Sequence, residues 1–103
     1  MIKTSYLANT LMINYLCEQL APLGDISYKR MFGGYGVFLN HTMIGIVQDD
    51  EIFIKKLKID DNDNRFGYLR QGKMVYLNYV LIDRLLLDEQ DELIALVKSF
   101  LHN

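Results

Sequence analysis

Four β-rich runs follow one another with almost nothing between them: ISYKRMF (26–32), YGVFL (35–39), MIGIVQ (43–48) and IFIKKL (52–57). The breaks are Gly33-Gly34, Asn40-His41-Thr42 and Asp49-Asp50-Glu51. A parallel crossover needs a dozen or more residues, so breaks this short favour sequential antiparallel hairpins. A polar stretch, DDNDNRFG, then leads to MVYLNYV (74–80), which reads as a fifth strand.

Helical spacing flanks this meander. Across residues 5–21, Leu7, Ala8, Leu11, Met12, Tyr15 and Leu16 form one stripe, with Ile13, Cys17 and Leu20 beside it. Ser5 or Thr4 is the expected cap, and Pro22 and Gly24 end the helix. An apolar arc this wide means deep burial or a row that meets a partner chain. Together with the aromatic strands it suggests a two-fold homodimer. A closing helix is expected over 88–102, with Asp88 as N-cap and Glu89, Asp91 and Glu92 at the positive end of its dipole. Leu93, Ile94, Val97, Phe100 and Leu101 form its apolar stripe. Helix, strands, helix implies an α+β fold of the form α-β(about 5)-α, its antiparallel sheet covered on one face by the two helices.

The other face then needs an explanation. Tyr28, Tyr35, Phe38, Phe53, Tyr76 and Tyr79 crowd the strands, and side chains alternate, so some of them point away from the helices. Two readings stay open: an interface, or tyrosines that tolerate half-exposure on a sheet.

The 103 residues make one domain, 1–103, and half of them are hydrophobic, enough for a core without staples. A single cysteine, Cys17, rules out an internal disulfide and fits a reducing compartment. The apolar N-terminus is interrupted by Asn9, Thr10 and Asn14, and no run approaches the ~20 apolar residues of a membrane span. A soluble cytoplasmic protein that makes no membrane contact is expected.

The glycines of KRMFGGYGVF (29–38) pose a sharper choice. A phosphate-binding loop continues into a helix, and a P-loop places Lys and Ser or Thr after its last glycine. Here Tyr35, Val37, Phe38 and Leu39 follow, which is strand chemistry. Gly33 and Gly34 instead suit a tight hairpin turn with a positive φ, and Gly36 a bulge or close backbone approach.

Other site readings are weaker. Asp60, Asn62 and Asn64 imitate the start of a calcium loop, but the sixth position is Arg65 rather than Gly and the twelfth Gln71 rather than Glu. His41 and His102 are too far apart to suggest a metal pair, and Cys17 sits in an apolar row. No nucleophile–base pair follows from spacing, and no metal or cofactor is expected. Lys29 and Arg30 adjoin the glycine turn, and Lys55, Lys56 and Lys58 end the fourth run. These are a patch if the sheet gathers them, or ordinary edge lysines that block aggregation. With a net charge of -2 and no basic helix face, specific duplex DNA binding by the chain alone is not expected.

Residues 23–55 resemble the N-terminal domain of the TfoX/Sxy family, carried by Arg30-Met31-Phe32-Gly33-Gly34-Tyr35-Gly36 and continued by Gly45 and Phe53-Ile54-Lys55. Phe66 to Tyr68, Tyr76 to Tyr79 and the closing acidic helix fit more loosely. The resemblance implies a secretion-chaperone-like α-β-α architecture and a non-enzymatic regulator of bacterial DNA-uptake competence. Such regulators act with a transcription activator, the catabolite activator protein. Fuller members carry a second, helical C-terminal domain; related sequences often have a proline after the last strand, where VLIDRLL has none. The expected mechanism is contact with a protein partner through the open sheet face or an exposed helix row. Lys29 and Arg30 are the candidate polar contacts, Tyr28, Tyr35 and Tyr76 the aromatic ones, and Gly33, Gly34 and Gly36 the structural turn. The alternative is a stand-alone small-molecule-binding or enzymatic domain with a pocket between sheet and helices.

Overall fold

In the computed structural model, residues 2–31 and 33–102 are described, with side chains from residue 10 onward. A helix α1, Ile2–Leu20, runs into a 3-10 turn, Ala21–Leu23, with Pro22 at its start. Six strands follow: β1 Ile26–Met31, β2 Gly34–Leu39, β3 Thr42–Gln48, β4 Glu51–Lys55, β5 Arg65–Arg70 and β6 Lys73–Ile82. A second 3-10 segment, Arg84–Asp88, then leads to α2, Gln90–Phe100. The strands form one antiparallel sheet in the order β1-β2-β3-β4-β6-β5.

The short breaks become hairpins, as expected. Asn40-His41, Asp49-Asp50 and Gln71-Gly72 each place two consecutive residues at positive φ. That is the type I′ conformation, whose twist matches the strands it joins. The sheet has one strand more than expected, β5, because the 56–64 connection carries the chain past the place where β6 will lie and out to the sheet edge. Backbone bonds from Lys56 to Asn78 and from Leu57 to Phe100 hold its start. The Lys56 ammonium binds Asp60 and Asp63 at 3.2 and 2.8 Å, and the Asp60 amide donates to Asp63. That network occupies Asp60, the one carboxylate among the residues that imitate a calcium loop.

The main core lies between the helices and one face of the sheet. Met12, Ile13, Leu16 and Leu20 of α1 and Leu93 and Val97 of α2 close over Tyr35, Val37, Ile52, Ile54 and Ile82. Burying each such aliphatic side chain contributes roughly 1.5–3 kcal/mol. A bulge opposite Val37 and Phe38 breaks the alternation of β3. It turns Ile44 toward the helices while Ile46 faces the opposite side. Three bonds latch the helices together: Tyr15 hydroxyl to Asp88 (2.8 Å), Gln19 to the Leu87 carbonyl (2.6 Å) and Gln90 to the Gln19 carbonyl (3.1 Å).

Both helix starts differ from expectation. Because α1 begins at Ile2, Thr4 and Ser5 lie inside the helix rather than at its cap position. Asp88 ends the 3-10 segment and accepts from Tyr15, so α2 starts two residues later, with Glu89 at its cap position. Within α1 the buried row is Met12, Ile13, Leu16 and Leu20, whereas Leu11 is exposed.

The face away from the helices carries a second cluster. Ile46, Phe53 and Phe66 are buried there, ringed by Met43, Tyr68, Leu77, Tyr79 and Leu81, and none of the described helical residues belongs to it. Phe53 and Phe66 meet edge to face, 5.2 Å between centroids. Long side chains replace the missing layer: the Tyr79 hydroxyl reaches from β6 across β4 to the Met43 carbonyl of β3, 3.1 Å away.

Candidate functional site

The glycine turn joins β1 to β2, and no helix follows it. Gly33 has φ +76, and Gly34 opens β2. At Gly34 a Cβ would stand 2.0 Å from the Val47 carbonyl oxygen, so only glycine lets the two backbones approach. At Gly36 the space is filled by the Met31 sulfur, 2.3 Å from where a Cβ would be. The bulge in this part of the sheet is on β3, not at Gly36. Phe32 lies outside the described residues.

This turn presents β1, one edge of the sheet. Ser27, Tyr28, Lys29 and Arg30 are all exposed. Tyr28 is 44 % exposed, stands edge-on to Tyr35 at 5.4 Å and donates to Asn14 of α1 at 3.4 Å. Lys29 projects to the open face, its ammonium 5.3 Å from the centroid of the Phe38 ring.

The five candidate contact residues are not gathered in one place. Tyr28, Lys29 and Arg30 are consecutive on β1. Tyr35 is only 6 % exposed, its hydroxyl 3.3 Å from that of Thr10. It is a core residue that props Tyr28, because β2 pairs on both sides and its odd positions face α1. Tyr76 lies on β6, four strand positions from β1 in the sheet order, on the order of 19 Å at roughly 4.8 Å per strand. The basic residues are separate too. Lys55 is on β4, three positions from β1, and Lys56 is bound by carboxylates while its ammonium lies 5.2 Å from the Phe100 ring centroid.

Tyr76 belongs to a region that the sequence pattern did not mark. On the helix-ward side of the β5–β6 hairpin, but beyond the helices, Leu69 is 71 % exposed, Tyr76 55 % and Met74 50 %. The signal that could have revealed it is Gln71-Gly72, a turn pair between RFGYLR and KMVYLN.

The ionisable groups that depart from their usual behaviour have structural causes. Burial pushes the Cys17 thiol up to about 11, away from nucleophilic use. Burial also raises Tyr79, and the bond to Asp88 raises Tyr15. The Asp63 carboxyl is held below its ordinary range by the Asp60 amide and then by Lys56, and Asp63 in turn raises Lys56. A cleft of about 380 Å³ lies beside the β3–β4 turn, lined by Asp49, Asp50, Glu51, Leu81, Ile82, Asp83 and Arg84. It is not the pocket between sheet and helices that a small-molecule site would use, and Arg84 is paired with Asp50 across it. No described helix is long and apolar enough to cross a membrane.

Residues 18–102 match the family model described as the TfoX N-terminal domain. Protein Sxy of Escherichia coli (strain K12) is 30 % identical over 87 residues, which are 79 % of this chain and 42 % of that protein. The chain therefore spans less than half the length of this curated relative.

Proposed function

The chain belongs to the TfoX N-terminal domain family, and from that premise we propose that it is a regulatory domain for bacterial DNA-uptake competence that works by protein contact. In this reading it is not an enzyme. It acts in the cytoplasm, at the transcription machinery, through the β1 edge. The observation that carries the reading is that edge: four consecutive exposed residues, Ser27 to Arg30, on a strand paired on one side only.

An edge strand offers backbone donors and acceptors to a partner, and its side chains set the choice of partner. Here Tyr28 is braced against Tyr35 and Asn14, so its ring is positioned before contact. Lys29 and Arg30 add positive charge, which suits an acidic surface on a transcription activator. The same two charges are too few for DNA. A duplex reader needs a basic helix or strand pair, and Lys55 is separated from this edge by strands while Lys56 is held by Asp60 and Asp63.

The test is charge reversal in the native bacterium with a reporter on a DNA-uptake promoter. Lys29→Glu with Arg30→Glu should lower induction about tenfold or more, equivalent to ~1.4 kcal/mol of contact energy, while thermal unfolding of the purified variant stays near that of the parent. An unchanged reporter would refute a role for the β1 edge.

A further inference from the structure

The second sheet edge, β5, has no role in that proposal, yet it sets an exposed leucine two residues away from a glycine. We infer that β5 pairs antiparallel with β5 of a second copy of this chain, about a two-fold axis at Tyr68.

The register follows from the hairpin. Gln71 and Gly72, at φ +52 and +80, form a two-residue turn closed by Arg70 and Lys73. In such a hairpin the closing pair exchanges both backbone bonds, and pairs then alternate. Arg70 and Tyr68 therefore direct their backbone groups at β6, while Gly67 and Leu69 direct theirs outward. An antiparallel copy uses all four outward groups when Gly67 of one strand faces Leu69 of the other, which places the axis at Tyr68.

That register also suits the side chains. Leu69, 71 % exposed, would lie over Gly67 of the second copy. The ring of Tyr76 and the end of Met74 already reach to within 2.8 and 2.9 Å of where a Gly67 Cβ would be. Leu69 then finds an apolar floor without a competing side chain, and the exposed Tyr76 and Met74 gain cover. The register is self-complementary, which selects a second copy over an unrelated strand: two-fold reversal sets each copy's exposed Leu69 over the other's Gly67, so both ends of the contact are filled by the same pair. A six-residue edge places the contact among small interfaces, so weak and concentration-dependent pairing is expected.

The test uses a Cys17→Ser background carrying Tyr68→Cys, incubated in a glutathione redox buffer. Facing residues in a non-hydrogen-bonded pair have Cβ atoms about 4.5–5.5 Å apart, near disulfide range. A covalent dimer should form several-fold faster than from Ser27→Cys on β1, and Leu69→Lys should suppress it. Equal rates from Tyr68→Cys and Ser27→Cys, or preferential linkage through Leu11→Cys on α1, would overturn the inference. Hydrogen exchange on the unaltered protein avoids any folding defect. The Gly67 and Leu69 amides should gain at least about fivefold protection on concentration from micromolar to millimolar, by mass action. Unchanged protection there would overturn the inference independently of the β1 experiment.

Discussion

The two edges of the sheet solve the same problem by different means. β1 is backed by the helices: Tyr28 touches Tyr35 and Asn14, and Ile26 packs on the main core. It therefore shows a polar, basic strip on a rigid mount. No described helical residue shares a core cluster with β5. Phe66 anchors it on the open face, 2 % exposed against Phe53, while its helix-ward side leaves Leu69 bare. A braced polar edge suits a chosen partner, whereas an unbraced apolar edge invites pairing. The difference comes from which strands the helices reach.

The largest expected effect tests what anchors each edge. Phe66→Ala should cost about 3–5 kcal/mol, since it empties a buried site on which β5 depends. Tyr28→Ala, at a half-exposed site, should cost on the order of 1 kcal/mol. Urea unfolding measures both, and equal losses would break the distinction between a braced and an anchored edge.

The two edge turns differ next. Gly34→Val drives a side chain into the Val47 carbonyl and should cost on the order of 3 kcal/mol. At Gly72, φ +80, nothing lies within 4 Å of an added Cβ. Gly72→Val should cost only the strain of positive φ, about 1 kcal/mol or slightly more. Thermal melts of the two variants would show the ordering.

These contrasts also mark what the sequence reveals. Three hairpins were legible because Gly33-Gly34, Asn40-His41 and Asp49-Asp50 leave the chain no other route. β5 was not: RFGYLR has a charge at each end and a glycine inside, and an edge strand buries too little to need an apolar run. Alternation placed Tyr28, Tyr35, Tyr76 and Tyr79 on strands but could not say which face meets a helix. Tyr35 thus read as a contact residue when it is core. The bulge at Ile44 is a further shift of face that no local pattern announces. Asp88 read as a cap because it precedes an acidic helical run, yet it serves Tyr15 from another helix. Of the candidate contact residues, Tyr28, Lys29 and Arg30 are the ones the fold keeps together, consecutive and exposed on β1.

A smaller effect concerns the connection that carries the chain to β5. The folded Asp63 carboxyl titrates below its ordinary value, so its contribution is present above about pH 4 and is lost as pH falls through the folded value. The folded Lys56 ammonium titrates above its ordinary value, so its contribution persists through neutral pH and is lost only as pH rises past that value. Stability measured from pH 6 down to 2 should decline less steeply in Lys56→Met than in the parent. Identical slopes would mean that the Asp60 amide alone holds Asp63.

The smallest expected effect is on DNA. A fluorescence titration with a competence promoter and a scrambled duplex at about 150 mM salt should show less than tenfold preference, with any binding fading as salt rises. A larger preference, lost in Lys29→Ala with Arg30→Ala, would turn the β1 edge into a DNA surface.

The central claim is that β1 engages a protein, and crosslinking inside the native bacterium tests it most directly. A photoreactive residue replacing Lys29, on the braced edge, is compared with one replacing Glu92, exposed on α2 and away from both sheet edges. The expected result is a discrete covalent adduct from position 29 that resists nuclease, is absent from position 92 and contains a component of the transcription machinery. Nuclease-sensitive adducts at position 29, or none above those at position 92, would contradict the claim.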